Sequence, residues 1–176
     1  MDSFDVNVTL NKDSSLEVVE KIVYNFGSNQ RHGIFRDIPL TSQEGPTLNI
    51  KVGEVKNEAG APYKYTTSIA NDILRITIGD PNLFVSGVQT YIINYRVYNA
   101  IRTFSDHDEL YWNATGDQWQ VAIRSANVSL TLPEQSISNL KIVCFTGPRG
   151  STQKNCTFSQ KGSTVSYSTT QPLLVD

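Results

Sequence analysis

Period-two alternation of apolar and polar residues runs through nearly the whole chain, and no segment sustains an apolar spacing of three and four. That pattern is what half-buried strands require, because successive side chains along a strand point to opposite faces. Phe4, Val6, Val8 and Leu10 alternate with Asp5, Asn7 and Thr9; Leu16, Val18, Glu20, Ile22, Tyr24 and Phe26 resume the pattern after the turn-forming Asn11-Lys12-Asp13-Ser14-Ser15. The two segments predict a hairpin. Leu48, Ile50 and Val52 predict a further strand. Residues 63–67 and 73–78 predict a second hairpin, turning at Ala70-Asn71-Asp72. Tyr91, Ile93, Tyr95 and Val97 mark the longest and most aromatic strand, expected to be central. Short strands follow at residues 109–113, at Val128, Leu130 and Leu132, at Leu140, Ile142 and Cys144, and at residues 157–158 and 164–167.

About ten strands with short connections predict an all-β fold, specifically a two-sheet antiparallel β-sandwich. Any helix is a short connector, at residues 105–109 or 133–138. At 176 residues the chain is most simply one domain, able to bury roughly 70% of its unfolded surface. We place that domain at residues 1–170, with 171–176 as an exit tail. The hydrophobic share of 39% and charged share of 18%, rich in β-branched and aromatic residues, agree with strands. The net charge of −2 is mixed along the chain, without the basic run that phosphate neutralisation demands, so nucleic acid is not the expected partner.

No run approaches the ~18 apolar residues needed to span a bilayer. The chain opens on Met1-Asp2-Ser3-Phe4, directly ahead of the first strand and without a leader. Alone, this predicts either a cytosolic protein or a domain separated from its targeting segments. Cys144 and Cys156 lie on either side of a Gly-Pro-Arg-Gly-Ser-Thr turn. They are either two free thiols or a disulfide between neighbouring strands, and the count does not choose. Without companion histidines they do not make a zinc site.

Two stretches are dense in chemistry-bearing residues. The first, residues 31–39, reads Arg-His-Gly-Ile-Phe-Arg-Asp-Ile-Pro and is expected to be a connection between strands. Arg31, His32, Arg36 and Asp37 have the donors and titrating groups of an anion-binding or acid–base site; the favoured reading is that Arg36 and Asp37 pair with loop groups to hold a turn around Gly33. The second stretch runs from Asp106 to Trp119. Asp106, His107, Asp108 and Glu109 are ligand-capable, but the calcium-loop spacing is missing and adjacent strand residues face opposite ways. A solvated loop is expected. Tyr111, Trp112, Asn113 and Trp119 carry the stacking faces and amide of a sugar-binding surface, or else the two indoles plug the end of the core with each N–H finding one acceptor. Core plugging is favoured. No nucleophile elbow, zinc helix or dinucleotide fingerprint occurs, so neither a metal nor a cofactor is expected.

The alternating N-terminal strand, residues 31–39, Asp108-Glu109-Leu110-Tyr111-Trp112-Asn113-Ala114-Thr115-Gly116 with Trp119, and Cys144-Phe145-Thr146-Gly147-Pro148-Arg149-Gly150-Ser151 with Cys156, occur here in that order. Together they resemble the bacterial family called domain of unknown function 2207, over nearly the whole chain. The resemblance implies a predicted membrane protein: a signal sequence, an extracytoplasmic domain of this kind, then transmembrane helices and a low-complexity tail. It implies no activity and no catalytic residue. This sequence departs from the pattern in lacking both membrane segments. The resemblance also implies that Cys144 and Cys156 are bonded, since outward-facing domains are where disulfides persist. The expected function is a non-enzymatic binding or structural module at the cell surface, with a protein or an envelope glycan as partner. The alternatives are a carbohydrate-binding module using Trp112 and Trp119, and a hydrolase using His32 or His107 with Asp37, Asp106 or Asp108.

Overall fold

The computed structural model describes residues 1–41, 45–133, 139–148 and 150–175. Twelve strands follow one another: β1 (Ser3–Leu10), β2 (Leu16–Asn25), β3 (Gly33–Pro39), β4 (Asn49–Lys56), β5 (Tyr65–Ala70), β6 (Ile73–Gly79), β7 (Val88–Tyr98), β8 (Ile101–Thr103), β9 (Asp108–Leu110), β10 (Ala126–Thr131), β11 (Cys156–Lys161) and β12 (Thr164–Thr169). The described residues contain no helix, so the protein is all-β. One sheet has seven strands in the order β11-β12-β10-β1-β2-β7-β4; a second has three, β3-β6-β5; and β8 pairs with β9 alone.

The alternating segments build the large sheet. Phe4, Val6 and Val8 of β1, Leu16, Val18 and Ile22 of β2, and Tyr91, Ile93, Tyr95 and Val97 of β7 are all buried on one face. The other face of β2 and β7 carries the surface pairs Lys21–Glu58 and Arg96–Glu17. The first hairpin runs in register from Ser3↔Val23 to Leu10↔Leu16. At its turn Ser14 has a φ of 63°, and an Asp13 carboxylate oxygen accepts from both Ser15 N (3.1 Å) and Ser15 Oγ (2.6 Å). β7 is the longest strand and is paired on both sides, one position in from the β4 edge. The β5–β6 hairpin turns on Asn71 and Asp72, both with positive φ, the geometry that matches strand twist in a two-residue loop.

The small sheet contributes Ile34, Ile38, Leu74, Ile76 and Ile78 to the same apolar cluster as β1, β2 and β7. The β3–β6 ladder begins where Gly33 opposes Gly79, with φ values of 138° and 134°. A Cβ on either would sit 1.8 Å from the carbonyl oxygen of Ile78 or His32, so only glycine fits there.

Several expectations are corrected. Residues 31–39 are not a connection: most of the stretch is β3, its alternation hidden because Arg36 occupies the inward position between Ile34 and Ile38. The described residues hold twelve strands against an expectation of about ten, and they are not antiparallel throughout. β1 and β10 are parallel, from Phe4↔Ala126 to Thr9↔Thr131, because the connection between these neighbours is most of the domain rather than a local turn. The connector helix at residues 105–109 is a bend leading into β9, and the one at 133–138 lies, after Pro133, outside the described residues. Leu140, Ile142 and Cys144 form no strand; this extended stretch is tied by the Thr146↔Gln153 bridge and by the Cys144–Cys156 disulfide, with Cα atoms 6.3 Å apart. Leu173 exchanges both backbone hydrogen bonds with Ile123 (2.9 and 2.8 Å).

Candidate functional site

The two motif-rich stretches meet at Arg36. β3 aims this side chain into the core, where it is 1% exposed. Its Nε donates to Glu20 Oε2 (2.8 Å) and its Nη2 to Glu20 Oε1 (2.7 Å), a bidentate pair with a carboxylate on β2 that is itself fully buried. Nη1 donates to the Asp37 carbonyl (2.8 Å) and Nη2 to the Ala114 carbonyl (3.2 Å), which brings in the second stretch. Tyr95 on β7 donates its hydroxyl to Glu20 Oε1 (2.5 Å), and the Phe4 ring lies 5.3 Å beneath the guanidinium. Burial works against the Arg36 charge, but Glu20 more than offsets it and leaves the guanidinium more basic than an ordinary arginine. Burial, followed by the charge of Glu20, pushes the Tyr95 phenol well above its usual range, so it stays a neutral donor.

This cluster joins two sheets and a loop. Gly116, with a φ of 78°, passes so close that a Cβ there would lie 2.4 Å from Arg36 Nη1. Both charged members of the cluster are buried, and Arg36 and Tyr95 direct their donors to internal partners. Sequence reasoning missed Glu20 and Tyr95. The signal for Glu20 was present: a carboxylate at an inward position between Val18 and Ile22 must find a buried cation.

The remaining candidates disperse. Asp37 turns outward and makes a bidentate pair with Arg75 across the β3–β6 ladder (2.8 and 2.6 Å). Arg31 is exposed, its backbone bridges Val85, and its Nη1 donates to the Gln30 carbonyl. The His32 ring lies against Phe84 (4.2 Å between centroids) with Nδ1 2.9 Å from the Leu83 carbonyl. His32 and Asp37 are five residues apart on one extended segment, roughly 16 Å at the rise of a strand, too far for a hydrogen-bonded dyad. His107 does contact Asp106 (2.8 Å), but both stand exposed. Asp108 is exposed, and Glu109 faces Arg102 across the β8–β9 pair at 3.6 Å.

Trp112 and Trp119 both pack against the core. Trp119 meets Phe4 edge-on (5.8 Å) and donates its indole N–H to the Thr115 carbonyl (2.7 Å). Trp112 lies against Tyr95 (6.4 Å), but its buried N–H finds no acceptor among the described residues, where one acceptor per indole is expected and Trp119 has one. Asn113 spends its side-chain oxygen on Gly116 N (3.0 Å), while Tyr111 is exposed under Arg102 (5.6 Å). Among the described residues no three His, Cys, Asp or Glu side chains gather as metal ligands would. A recess of about 440 Å³ between β4 and β5 is lined by apolar and hydroxyl groups, including Ile50, Val52, Tyr65 and Ile69.

The geometry is that of an all-β domain braced by a buried ion pair between sheets and by a disulfide beside its last strands. The chain belongs to the family described as the N-terminal domain of predicted membrane protein DUF2207, whose model matches residues 1–173. No curated protein sequence matches. Among solved structures, the chain is similar to native leukotriene A4 hydrolase from Saccharomyces cerevisiae, with a TM-score of 0.57 and 11% identity over 98% of this chain and 27% of that one. It is also similar to the yeast hydrolase in complex with bestatin, with a TM-score of 0.53 and 11% identity over 96% and 28%. The chain thus spans about a quarter of those proteins. At that identity the likeness is one of fold. No helix among the described residues is long and apolar enough to cross a membrane.

Proposed function

We propose that this domain is a non-enzymatic binding or structural module on the extracytoplasmic side of a bacterial membrane. In this reading the seven- and three-stranded sheets act as the two layers of a β-sandwich, and the chain beyond residue 173 leads to the membrane-embedded part. The observation that carries the reading is the Cys144–Cys156 disulfide, a bond that persists in oxidising compartments and rarely in the cytosol. The fate of the richest motif supports the non-enzymatic half, since Arg36 and Asp37 are both spent on internal partners. Its partner is a second protein or an envelope glycan. No geometry favours the carbohydrate alternative, because both indoles lean into the core. Nor does any favour the hydrolase alternative, whose one contacting His–Asp pair stands in the open.

The test is topological. In intact cells making the full-length protein, an impermeant amine-reactive label should reach this domain, and alkylation under denaturing conditions should modify Cys144 and Cys156 only after reduction. A domain labelled only in lysed cells, with both thiols free, would sink the proposal.

A further inference from the structure

Several exposed apolar side chains, Leu83, Phe84, Val88, Leu174 and Val175 among them, lie at one end of the large sheet. β1, β7, β10 and β11 begin there, and β2 and β12 end there. Gly87, just before β7, is bonded to residues 26 and 27, and Val85 exchanges two hydrogen bonds with Arg31. The segment just before Val85, Leu83-Phe84, therefore stands at this end, with its side chains 63% and 62% exposed. His32 holds it in place through the Phe84 ring and the Leu83 carbonyl. Val88 is exposed beside it. The residues preceding β10 and the last described residues share this end: Arg124 N donates to Met1 O, Ile123 pairs with Leu173, and Leu174 and Val175 are exposed. Gly87 and Ile123 precede strands three positions apart in the sheet, about 14 Å at ordinary strand spacing. The disulfide hairpin adds exposed Phe145, with Lys154 Nζ 5.9 Å from its ring. At the opposite end the β1–β2 turn itself, Asn11-Lys12-Asp13-Ser14-Ser15, is wholly polar.

The charges at the apolar end fit a negative surface. Asp2, Glu58 and Asp80 each have a basic partner, in Arg124, Lys21 and Lys64. Arg31 and Lys154 have no carboxylate partner among the described residues. Aromatic and aliphatic side chains flanked by cations are what an anionic bilayer interface takes up. In this family the domain is the N-terminal one of a predicted membrane protein; on the reading proposed above, the chain leaves for the membrane after residue 173, and Leu173 lies at this same end.

We propose that this end is a bilayer-contacting surface, with the Leu83-Phe84 turn dipping into the headgroup region and Arg31 and Lys154 meeting anionic lipid. The proposal rests on membrane attachment beyond residue 173 and not on which side of the membrane the domain occupies, so it stands or falls separately from the labelling experiment. The test uses this chain tethered by a C-terminal hexahistidine tag to nickel-chelating vesicles containing phosphatidylglycerol. Phe84→Trp is compared with Lys12→Trp at the opposite end, each corrected for the fluorescence of Trp112 and Trp119 in the unsubstituted chain. Brominated lipid should quench the Phe84→Trp signal at least twofold and leave Lys12→Trp unchanged. The double variant L83S/F84S, folded to the same thermal midpoint, should lower co-sedimentation of the untethered chain with those vesicles at least fivefold. Equal quenching at the two positions, or co-sedimentation indifferent to L83S/F84S, overturns the proposal. A solution dimer that L83S/F84S dissociates also overturns it, by assigning the patch to a second copy of the chain.

Discussion

Glu20 on β2 and Arg36 on β3 meet through two hydrogen bonds of 2.7 and 2.8 Å, each residue no more than 1% exposed, and they join sheets that share no ladder. Burying two charges costs several kcal/mol per ion, so this contact is stabilising only while both members and their further partners are in place.

Removing one member therefore has a large effect. Arg36→Ala or Glu20→Ala is expected to destabilise by about 3–5 kcal/mol, because the surviving charge is left buried and unpaired. Replacing the cluster together, as E20L/R36M/Y95F, is expected to recover most of that loss, since the Tyr95 hydroxyl is no longer stranded. Urea midpoints for the four proteins measure this. Single variants costing under about 1 kcal/mol would mean that water reaches the pair.

The two indoles make a controlled comparison. Trp119 donates to the Thr115 carbonyl, whereas the Trp112 N–H is buried without an acceptor among the described residues. Both lose ring volume in Trp→Phe, but Trp119→Phe also breaks a hydrogen bond, while Trp112→Phe removes an unsatisfied donor. Trp119→Phe should be the more costly by about 1 kcal/mol. Chemical denaturation of both variants gives the difference, and the opposite order would show that Trp112 has a partner.

What was legible in the sequence follows from these same residues. β1, β2 and β7 were readable because their inward positions are almost all apolar, and the hairpins because Asn, Asp and Ser declare their turns. β3 was not, because its inward series is Ile34, Arg36, Ile38: a cation in a strand pattern reads as a loop until its carboxylate is known, and Glu20 lies sixteen residues earlier on another sheet. The parallel β1–β10 pairing was hidden for a related reason, as no local turn encodes it. Of the candidate site, the motif order was informative about family, while the individual roles depended on which side chains tertiary structure placed out of solvent.

The disulfide closes the β11–β12 hairpin onto the extended stretch before it, across a sequence separation of twelve. Loop-closure entropy for such a span is worth about 3 kcal/mol. In a domain of this size, reduction should lower the thermal midpoint by roughly 6–12 °C. Scanning calorimetry with and without a phosphine reductant measures it. A shift confined to about 1 °C would show that the reduced chain is already constrained there.

The first hairpin supplies a pH dependence whose sign is fixed. Ser15 donates to Asp13 through its hydroxyl and its backbone N–H, and these bonds hold the carboxylate below its ordinary value of 3.8. A carboxyl whose pKa falls on folding stabilises the native state above its unfolded pKa, and the contribution is lost as pH falls through the lower folded value. Asp13→Asn keeps an oxygen acceptor for Ser15 but removes the charge. The wild type should therefore exceed D13N in urea midpoint at pH 5, with the gap closing as the pH is lowered towards 2. The group is solvent-exposed, so added salt at pH 5 should also narrow the part of the gap that comes from Arg96. A gap that stays constant from pH 5 to pH 2 would mean that the Ser15 hydrogen bonds do not favour the ionised form.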